Sequence, residues 1–342
     1  MIKALLSLAF ALIPAMAQAA APLLGLFAFS NMNVALDKIN GRRGSDRNGL
    51  GGASVVDDFG LPDQPMLDEM AAKALAVLKS APQGFVLMVE GASIDKQAHA
   101  MDTERWMMDT LEFDRAVRVA QAFAAERGDT LVIVTSDNGM PFPRDKVNLY
   151  DGGLRMPLAV RWGKQIKGGR TSQALVSHVD IPATILNAVG LPPLPGAAGV
   201  SFLPVLAGKS DVARQHVLGG MERHTMCRPD GATYPMRSVR TREYLYIRNF
   251  APERWPMGSP HFTSRADLPP FEKIEHSTYA VFADMDASPT KAWVVHHFDD
   301  PQFQWIYDLA FGQRPAEELY DLATDPDQVK NVAGDPAYAT TK

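Results

Sequence analysis

Residues 85–90 read FVLMVE and residues 131–139 read LVIVTSDNG, and these two stretches decide the predicted fold. Each contains an unbroken apolar run, typical of a buried strand, and each run is followed by an acidic residue. Between them, residues 103–127 place apolar side chains at the spacing of one helix face, and Gly128 follows as a C-cap. Strand, helix and strand form a βαβ unit, so we expect both strands to run parallel and to end at one edge of a sheet.

The segments around this unit extend the same architecture. Residues 66–78 repeat apolar side chains at helical spacing, whereas residues 31–61 lack periodicity and are predicted to form a surface loop. A segment rich in Pro and Gly at residues 191–208 marks a domain boundary. The predicted fold class is α/β, with a mostly parallel central sheet flanked by helices over residues 20–208. A smaller C-terminal α+β subdomain is predicted over residues 209–342.

Composition limits the classes of partner. The chain has 342 residues, 46% of them hydrophobic and 21% charged, and a formal net charge of −5. This balance provides no basic field for nucleic acid, so an anionic substrate needs local metals or a few Lys and Arg side chains. Cys227 is the single cysteine, which excludes an intrachain disulfide and is compatible with a bacterial periplasm.

The N-terminus has the order of a secretory signal. Lys3 precedes an apolar stretch over residues 4–16, and Ala17-Gln18-Ala19 supplies the small residues of a cleavage site. We therefore predict a signal peptide over residues 1–19 and a periplasmic or secreted protein. A membrane anchor is the alternative, because apolar residues resume soon afterwards. Pro14 and Gly25 interrupt any continuous spanning helix, so no stable membrane anchor is expected.

Glu90, Asp95 and His99 form the first group of candidate metal ligands. Asp95 and His99 are four residues apart, so on a helical turn they share a face and can bind one ion together. A solvated surface pair or a helix cap is the alternative for such a spacing. Glu90 ends a predicted buried strand, where a carboxylate must be paired, metal-bound or protonated.

The second group lies at the end of the next predicted strand. Asp137 and Asn138 supply two adjacent oxygen ligands, which suits a hard divalent cation, and Gly139 allows a sharp turn. The alternative is an Asx-turn without an ion. Lys146 follows this turn and is either a point charge for a substrate oxyanion or a solvated loop residue. Glu90 and Asp137 are expected at one edge of the sheet, near a common cation.

These motifs resemble two branches of the alkaline phosphatase superfamily. Residues 22–135, with the run VEGASIDKQAH at residues 89–99, resemble the second half of bacterial alkaline phosphatases. The resemblance implies a divalent metal at this run, with magnesium held by Glu90 and zinc held by Asp95 and His99.

From residue 135 to residue 342 the chain resembles sulfatases, especially sulfamidase-like ones. The matching stretches are TSDNG at residues 135–139, YDGGLRMP at 150–157, SHVDIPATIL at 177–186 and ELYDL at 318–322. The resemblance implies calcium at Asp137 and Asn138, and contact between Lys146 and the sulfate group.

The departures from both families concern the nucleophile. A phosphatase has His where this chain has Asn138, and its serine nucleophile precedes the retained segment. A sulfatase begins with paired aspartates and a Cys-x-Pro-x-Arg motif, which this chain lacks. The chain is therefore expected to be an incomplete alkaline-phosphatase-like fold without the nucleophile-bearing half, and no catalytic residue is assigned.

Three functions remain open at this point. The first is a metal-dependent hydrolase of small sulfate esters, because one metal and one lysine suit a singly charged monoester. The second is an alkaline phosphatase with an altered zinc site. The third is a non-catalytic metal-binding remnant or fusion product. The sequence leaves the oligomeric state open.

Overall fold

The computed structural model describes residues 23–27, 31–43 and 64–342. The chain divides into two compact units, Met1–Val132 and Ile133–Lys342. Helices and strands are both present, so the mixed α/β class is confirmed.

The described part of the first unit is helical, with α1 (Ala35–Arg43), α2 (Leu67–Leu78), α3 (Ala92–His99) and α4 (Thr103–Arg127). Helix α4 has the predicted bounds because both of its ends are capped. The Asp102 carboxylate accepts a hydrogen bond from the Arg105 N–H at 3.1 Å, and Gly128 takes the left-handed conformation, with φ of 76°. Helix α2 begins one residue later than predicted.

Helix α1 lies where the sequence predicts a surface loop over residues 31–61, and that prediction is wrong for α1. Its inward-facing side chains are charged, so the helix has no apolar periodicity. Asp37 is 1% exposed and Lys38 is 8% exposed. The Arg105 Nη2 of α4 lies 3.1 Å from the Asp37 Oδ1, and the Lys38 Nζ lies 2.8 Å from the Glu112 Oε1. Buried ion pairs replace the apolar stripe that normally identifies a helix.

The apolar run Phe85–Val89 is not a strand, and the prediction of a buried strand there is wrong. Val86 is 78% exposed and Met88 is 81% exposed. The opposite side of the run packs on α4, where the Phe85 and Phe123 rings meet edge to face at 5.9 Å. A strand requires hydrogen bonds with a neighbouring strand, and no strand within the described residues pairs with this run.

The strands of the described residues form two sheets. Strand β1 (Val132–Thr135), which begins at the boundary between the units, pairs with β2 (Leu158–Arg161). The other sheet has the antiparallel order β3-β4-β5-β6, with β3 (Val217–Met221), β4 (Met236–Arg240), β5 (Tyr244–Asn249) and β6 (Glu317–Asp321). Of the predicted central sheet, the described residues form the pair β1 and β2. The antiparallel sheet lies in the predicted C-terminal α+β subdomain.

Short helices connect these strands: α5 (Asp151–Leu154), α6 (Asp180–Ala188), α7 (Leu203–Leu206), α8 (Phe271–His276), α9 (Pro289–His296) and α10 (Gln304–Phe311). Single 3-10 turns occur at Pro229–Gly231, Thr278–Ala280 and Pro336–Tyr338.

Two apolar clusters of the second unit meet the loop that precedes α5. One lies on the inner face of the antiparallel sheet and consists of Leu149, Tyr150, Tyr234, Met236, Leu245, Ile247 and Tyr320. The other includes Val147 and surrounds Phe282 and Phe311, whose rings stack at 4.5 Å. The residues that directly follow Lys146 are therefore held in the core.

The predicted domain boundary lies inside one of the two units, and the predicted signal peptide lies outside the described residues. The Pro- and Gly-rich segment at residues 191–208 lies within the second unit, whereas the units divide between Val132 and Ile133. The predicted signal peptide, residues 1–19, lies outside the described residues. Across the described ranges, no helix combines the length and apolar character needed to span a membrane.

Candidate metal and anion site

Asp137 and Asn138 form a turn directly after β1. The Ser136 hydroxyl donates to the Asn138 carbonyl oxygen at 2.9 Å, and the Asn138 Nδ2 donates to the Gly139 carbonyl oxygen at 3.0 Å. The Asn138 Oδ1 is therefore the amide atom left to bind a cation. Asp137 is exposed, and within the described part of the chain its carboxylate forms no ion pair and no Asx-turn hydrogen bond. The turn offers two oxygen donors of the kind that calcium prefers.

His178 connects this turn to the start of β2. Its Nε2 lies 3.0 Å from the Ser136 carbonyl oxygen and 3.5 Å from the Thr135 hydroxyl. The Thr135 hydroxyl in turn donates to the Pro157 carbonyl oxygen at 2.9 Å. These bonds hold the backbone just before Asp137, which is a structural role for His178.

Lys146 lies beside the same turn because of the backbone path of its loop. The Lys146 N–H donates at 3.1 Å to the carbonyl oxygen of Met140, two residues after Asn138. The Lys146 carbonyl oxygen accepts from the Asn148 Nδ2 at 3.0 Å. The backbone of Lys146 is thus tied to the chain two residues after Asn138, in the same unit as Asp137 and Asn138.

Glycines allow the turn after β1 and the Lys146 loop to lie very close to α5. A Cβ at Gly139 would lie 2.5 Å from the Gly152 carbonyl oxygen. A Cβ at Gly153 would overlap with the carbonyl oxygens of Asp145 and Asn148. The Gly152-Gly153 pair therefore allows the helix to lie directly on the Lys146 loop.

The first unit holds the other predicted ligands. Helix α3 places Asp95 and His99 on one face, with the His99 Nε2 3.2 Å from the Asp95 Oδ2 and both side chains partly exposed. Glu90 lies just before Gly91, the N-cap of α3, and is exposed. The burial argument for an ion at Glu90 does not hold, because the preceding run is not a buried strand.

The donor sets are incomplete as metal sites. In residues 23–27, 31–43 and 64–342, no group of three or more His, Cys, Asp and Glu side chains is arranged to hold a metal ion. Asp95 with His99, and Asp137 with Asn138, each supply two donors, whereas zinc takes four ligands and calcium six to eight. An ion at either pair needs water or substrate oxygens as well. The prediction that Glu90 and Asp137 end two strands at one edge of a sheet is wrong, because the run before Glu90 is not a strand. A cation common to Glu90 and Asp137 stays a prediction.

The sequence did not predict the residues of the antiparallel sheet that hold the Lys146 loop in place. The Arg240 guanidinium binds both carboxylate oxygens of Asp151, each at 3.0 Å. The Tyr150 hydroxyl donates to the Glu318 Oε2 at 2.8 Å, and burial raises the pKa of Tyr150, so the phenol keeps its proton. Burial also raises the pKa of Asp145. These partners lie 89 and 168 residues apart, a separation that gives no local sequence signal.

Comparison with known proteins divides the chain near residue 142. Residues 10–143 match the family model of alkaline phosphatase, and residues 142–257 match the model of the N-sulphoglucosamine sulphohydrolase C-terminal region.

Curated relatives show the same division. Human N-sulphoglucosamine sulphohydrolase is 33% identical over 62% of this chain and 39% of its own length. Alkaline phosphatase H of Pseudomonas aeruginosa is 36% identical over 44% of this chain and 33% of its own length. An ulvan-active sulfatase of Formosa agariphila is 27% identical over 61% of this chain and 30% of its own length. The chain thus spans less than half the length of each of these relatives.

Proposed function

Because the chain joins an alkaline phosphatase-like segment to a sulfatase-like segment of one superfamily, we propose that it is a divalent-metal-dependent hydrolase of small sulfate esters. The observation that supports this proposal is the backbone hydrogen bond from Lys146 to Met140, which ties the Lys146 loop to the chain just after Asp137 and Asn138. These residues lie where the match changes from the phosphatase model to the sulfatase model.

The three residues have two tasks in this proposal. The Asp137 carboxylate and the Asn138 Oδ1 hold the cation, and two hard oxygen donors favour calcium there. Lys146 binds the anionic group as a point charge. A bound divalent cation supplies charge that neutralises developing negative charge on the ester oxygens. A sulfate monoester carries one negative charge, so it needs less neutralisation than a phosphate dianion.

Turnover is expected to be slow because no nucleophile is assigned. The sequence around the only cysteine, Cys227-Arg228-Pro229-Asp230-Gly231, lacks the Arg of the sulfatase motif. In a comparable hydrolase without its nucleophile, the remaining machinery still gives a rate about 10³ to 10⁴ times that in water.

The first unit is assigned a supporting metal role. We propose that Asp95 and His99, 3.2 Å apart on α3, hold a zinc or magnesium ion with the help of Glu90. We also propose that the protein acts in the periplasm or outside the cell, which its N-terminal residues 1–19 favour.

Steady-state assays on an aryl sulfate and an aryl phosphate, with calcium or zinc supplied, test this function. We expect sulfatase turnover that depends on calcium and that Asp137→Ala reduces about a hundredfold or more. His99→Ala is expected to lower activity less and to change the zinc dependence. The control is Asp211→Ala, which removes an exposed carboxylate elsewhere in the second unit. Activity that survives both Asp137→Ala and His99→Ala contradicts the assignments.

A phosphomonoesterase with an altered zinc site is the second candidate. It is favoured by the 41% identity to the alkaline phosphatase of Escherichia fergusonii over 34% of this chain. For this candidate, Asn138→His is expected to raise both phosphatase activity and zinc content, because imidazole is a better zinc ligand than an amide oxygen. Bound metal without turnover of any ester supports the non-catalytic alternative instead.

A further inference from the structure

The loop that carries Lys146 has a backbone conformation that its own residues do not favour. Arg144 and Val147, on either side of Lys146, have φ values of 68° and 73°. A β-branched residue such as Val147 rarely adopts the left-handed region, and such a residue costs of order 1–3 kcal/mol unless its surroundings enforce it. The groups that enforce this conformation therefore determine where the Lys146 side chain begins.

The first enforcing contact is an ion pair from β4. The Arg240 Nε and Nη2 bind the two oxygens of Asp151, each at 3.0 Å, in the planar geometry that arginine and carboxylate share. The Asp151 N–H also donates to the Gln328 Oε1 at 2.9 Å. The start of α5 is thus fixed to the sheet, and the glycines of α5 lie directly on the Lys146 loop.

The second contact comes from Glu318 on β6. Its Oε2 accepts from the Tyr150 and Tyr320 hydroxyls at 2.8 and 2.6 Å, and its Oε1 accepts from the Asn249 Nδ2 at 2.7 Å. Glu318 is 2% exposed, so loss of an acceptor leaves buried donors unpaired.

Tyr150 connects Glu318 to Arg144, one of the two residues with positive φ on either side of Lys146. The guanidinium of Arg144 lies 3.6 Å from the centroid of the Tyr150 ring, and the same guanidinium donates to the Gln328 and Leu309 carbonyl oxygens. A ring fixed by Glu318 therefore fixes Arg144, one of the two left-handed residues that flank Lys146.

We propose that Arg240 and Glu318 are positioning residues that hold the Lys146 loop in the conformation that binds the sulfate group of the substrate. This inference rests on the proposed function, because it assigns Lys146 to the sulfate. Neither residue touches the substrate, and both act through Asp151 and Tyr150.

Calorimetric titration of the full-length protein with inorganic sulfate, in the presence of calcium, tests the proposal. Arg240→Gln and Glu318→Gln are each expected to weaken sulfate binding about tenfold. Arg237→Gln is the matched control, because Arg237 lies on the same strand and forms an exposed ion pair with Glu222 at 2.5 Å. This variant is expected to retain wild-type affinity.

Hydrogen exchange separates a displaced loop from a misfolded protein. The Lys146 and Asn148 amides donate to Met140 and Asp145 within the loop, and they are expected to exchange faster in Arg240→Gln, whereas amides of α4 keep their wild-type rates. The double variant Arg240→Gln with Asp151→Asn is expected to bind sulfate no more weakly than Arg240→Gln, because both remove one ion pair.

The outcomes distinguish this inference from the proposed function. If Lys146→Ala loses sulfate binding while Arg240→Gln and Glu318→Gln keep it, the positioning role is overturned and the function of Lys146 stands. If Lys146→Ala binds sulfate as the wild type does, or the wild type binds none, the assignment of Lys146 fails and the inference fails with it.

Discussion

Asp109 is a single residue whose buried carboxyl affects the stability of the first unit. Asp109 of α4 is 3% exposed, and its Oδ1 accepts from the Ala35 N–H at 2.9 Å. Among the residues that the structure describes, its Oδ2 has no hydrogen-bond partner. Burial raises the pKa of Asp109 from 3.8 to about 6, with a smaller contribution from the charge of Glu112. Because the folded-state pKa is the higher one, this carboxyl stabilises the fold below about pH 4, and that contribution is lost as the pH rises through about 6.

Asp109→Asn is therefore expected to raise the free energy of unfolding at about pH 8 by about 1 kcal/mol, because it removes an ionised buried carboxylate and keeps the acceptor for Ala35. Urea unfolding at several pH values measures the difference from the wild type, which is expected to shrink towards about pH 4. Asp114→Asn, at a half-exposed position of the same helix, serves as the control. A difference that stays constant with pH contradicts the assigned ionisation.

At the scale of helices and loops, the success of sequence reasoning depends on whether the stabilising contacts are local. The bounds of helix α4 were predictable because its apolar periodicity and its terminal glycine are local signals, but the side chains that it buries include the charged residues Arg105, Asp109 and Glu112. Helix α1 was not predictable, because its charged inner face is recognisable only with α4 as the partner. The run Phe85–Val89 was wrongly predicted to be a strand, because an apolar run alone does not provide the neighbouring strand with which it must pair.

The candidate site shows the same distinction. The turn at Asp137 and Asn138 follows from the end of an apolar run, and β1 ends just before it as predicted. The contacts of Arg240 and Glu318 with the Lys146 loop could not be predicted, because they join segments that are distant in sequence.

Packing of α5 on the Lys146 loop leads to a prediction for Gly153. Gly153→Ala is expected to lower the free energy of unfolding by about 1–3 kcal/mol, because the added methyl group overlaps with two backbone carbonyl oxygens that cannot rotate away. Gly168→Ala is the control, since a Cβ there meets nothing within 4 Å. Chemical denaturation of both variants measures the difference. Equal stabilities for the two variants would show that the loop yields without cost.

At the scale of the whole molecule, the predicted ligands are distributed over two compact units. Glu90, Asp95 and His99 belong to the first unit, and Asp137, Asn138 and Lys146 belong to the second. The match to the phosphatase model includes the first group together with Asp137 and Asn138, and the match to the sulfatase model contains Lys146. The two groups of ligands can therefore be tested separately, and the central claim concerns the group in the second unit.

The most direct test of that claim is calcium binding by the full-length protein, measured by calorimetry and by metal analysis after dialysis. We expect about one calcium ion per chain in the wild type, with binding weakened about a hundredfold or more in Asp137→Ala and retained in Asp211→Ala. Wild-type calcium affinity in Asp137→Ala, or no calcium binding by the wild type, would contradict the assignment of this turn as the metal site.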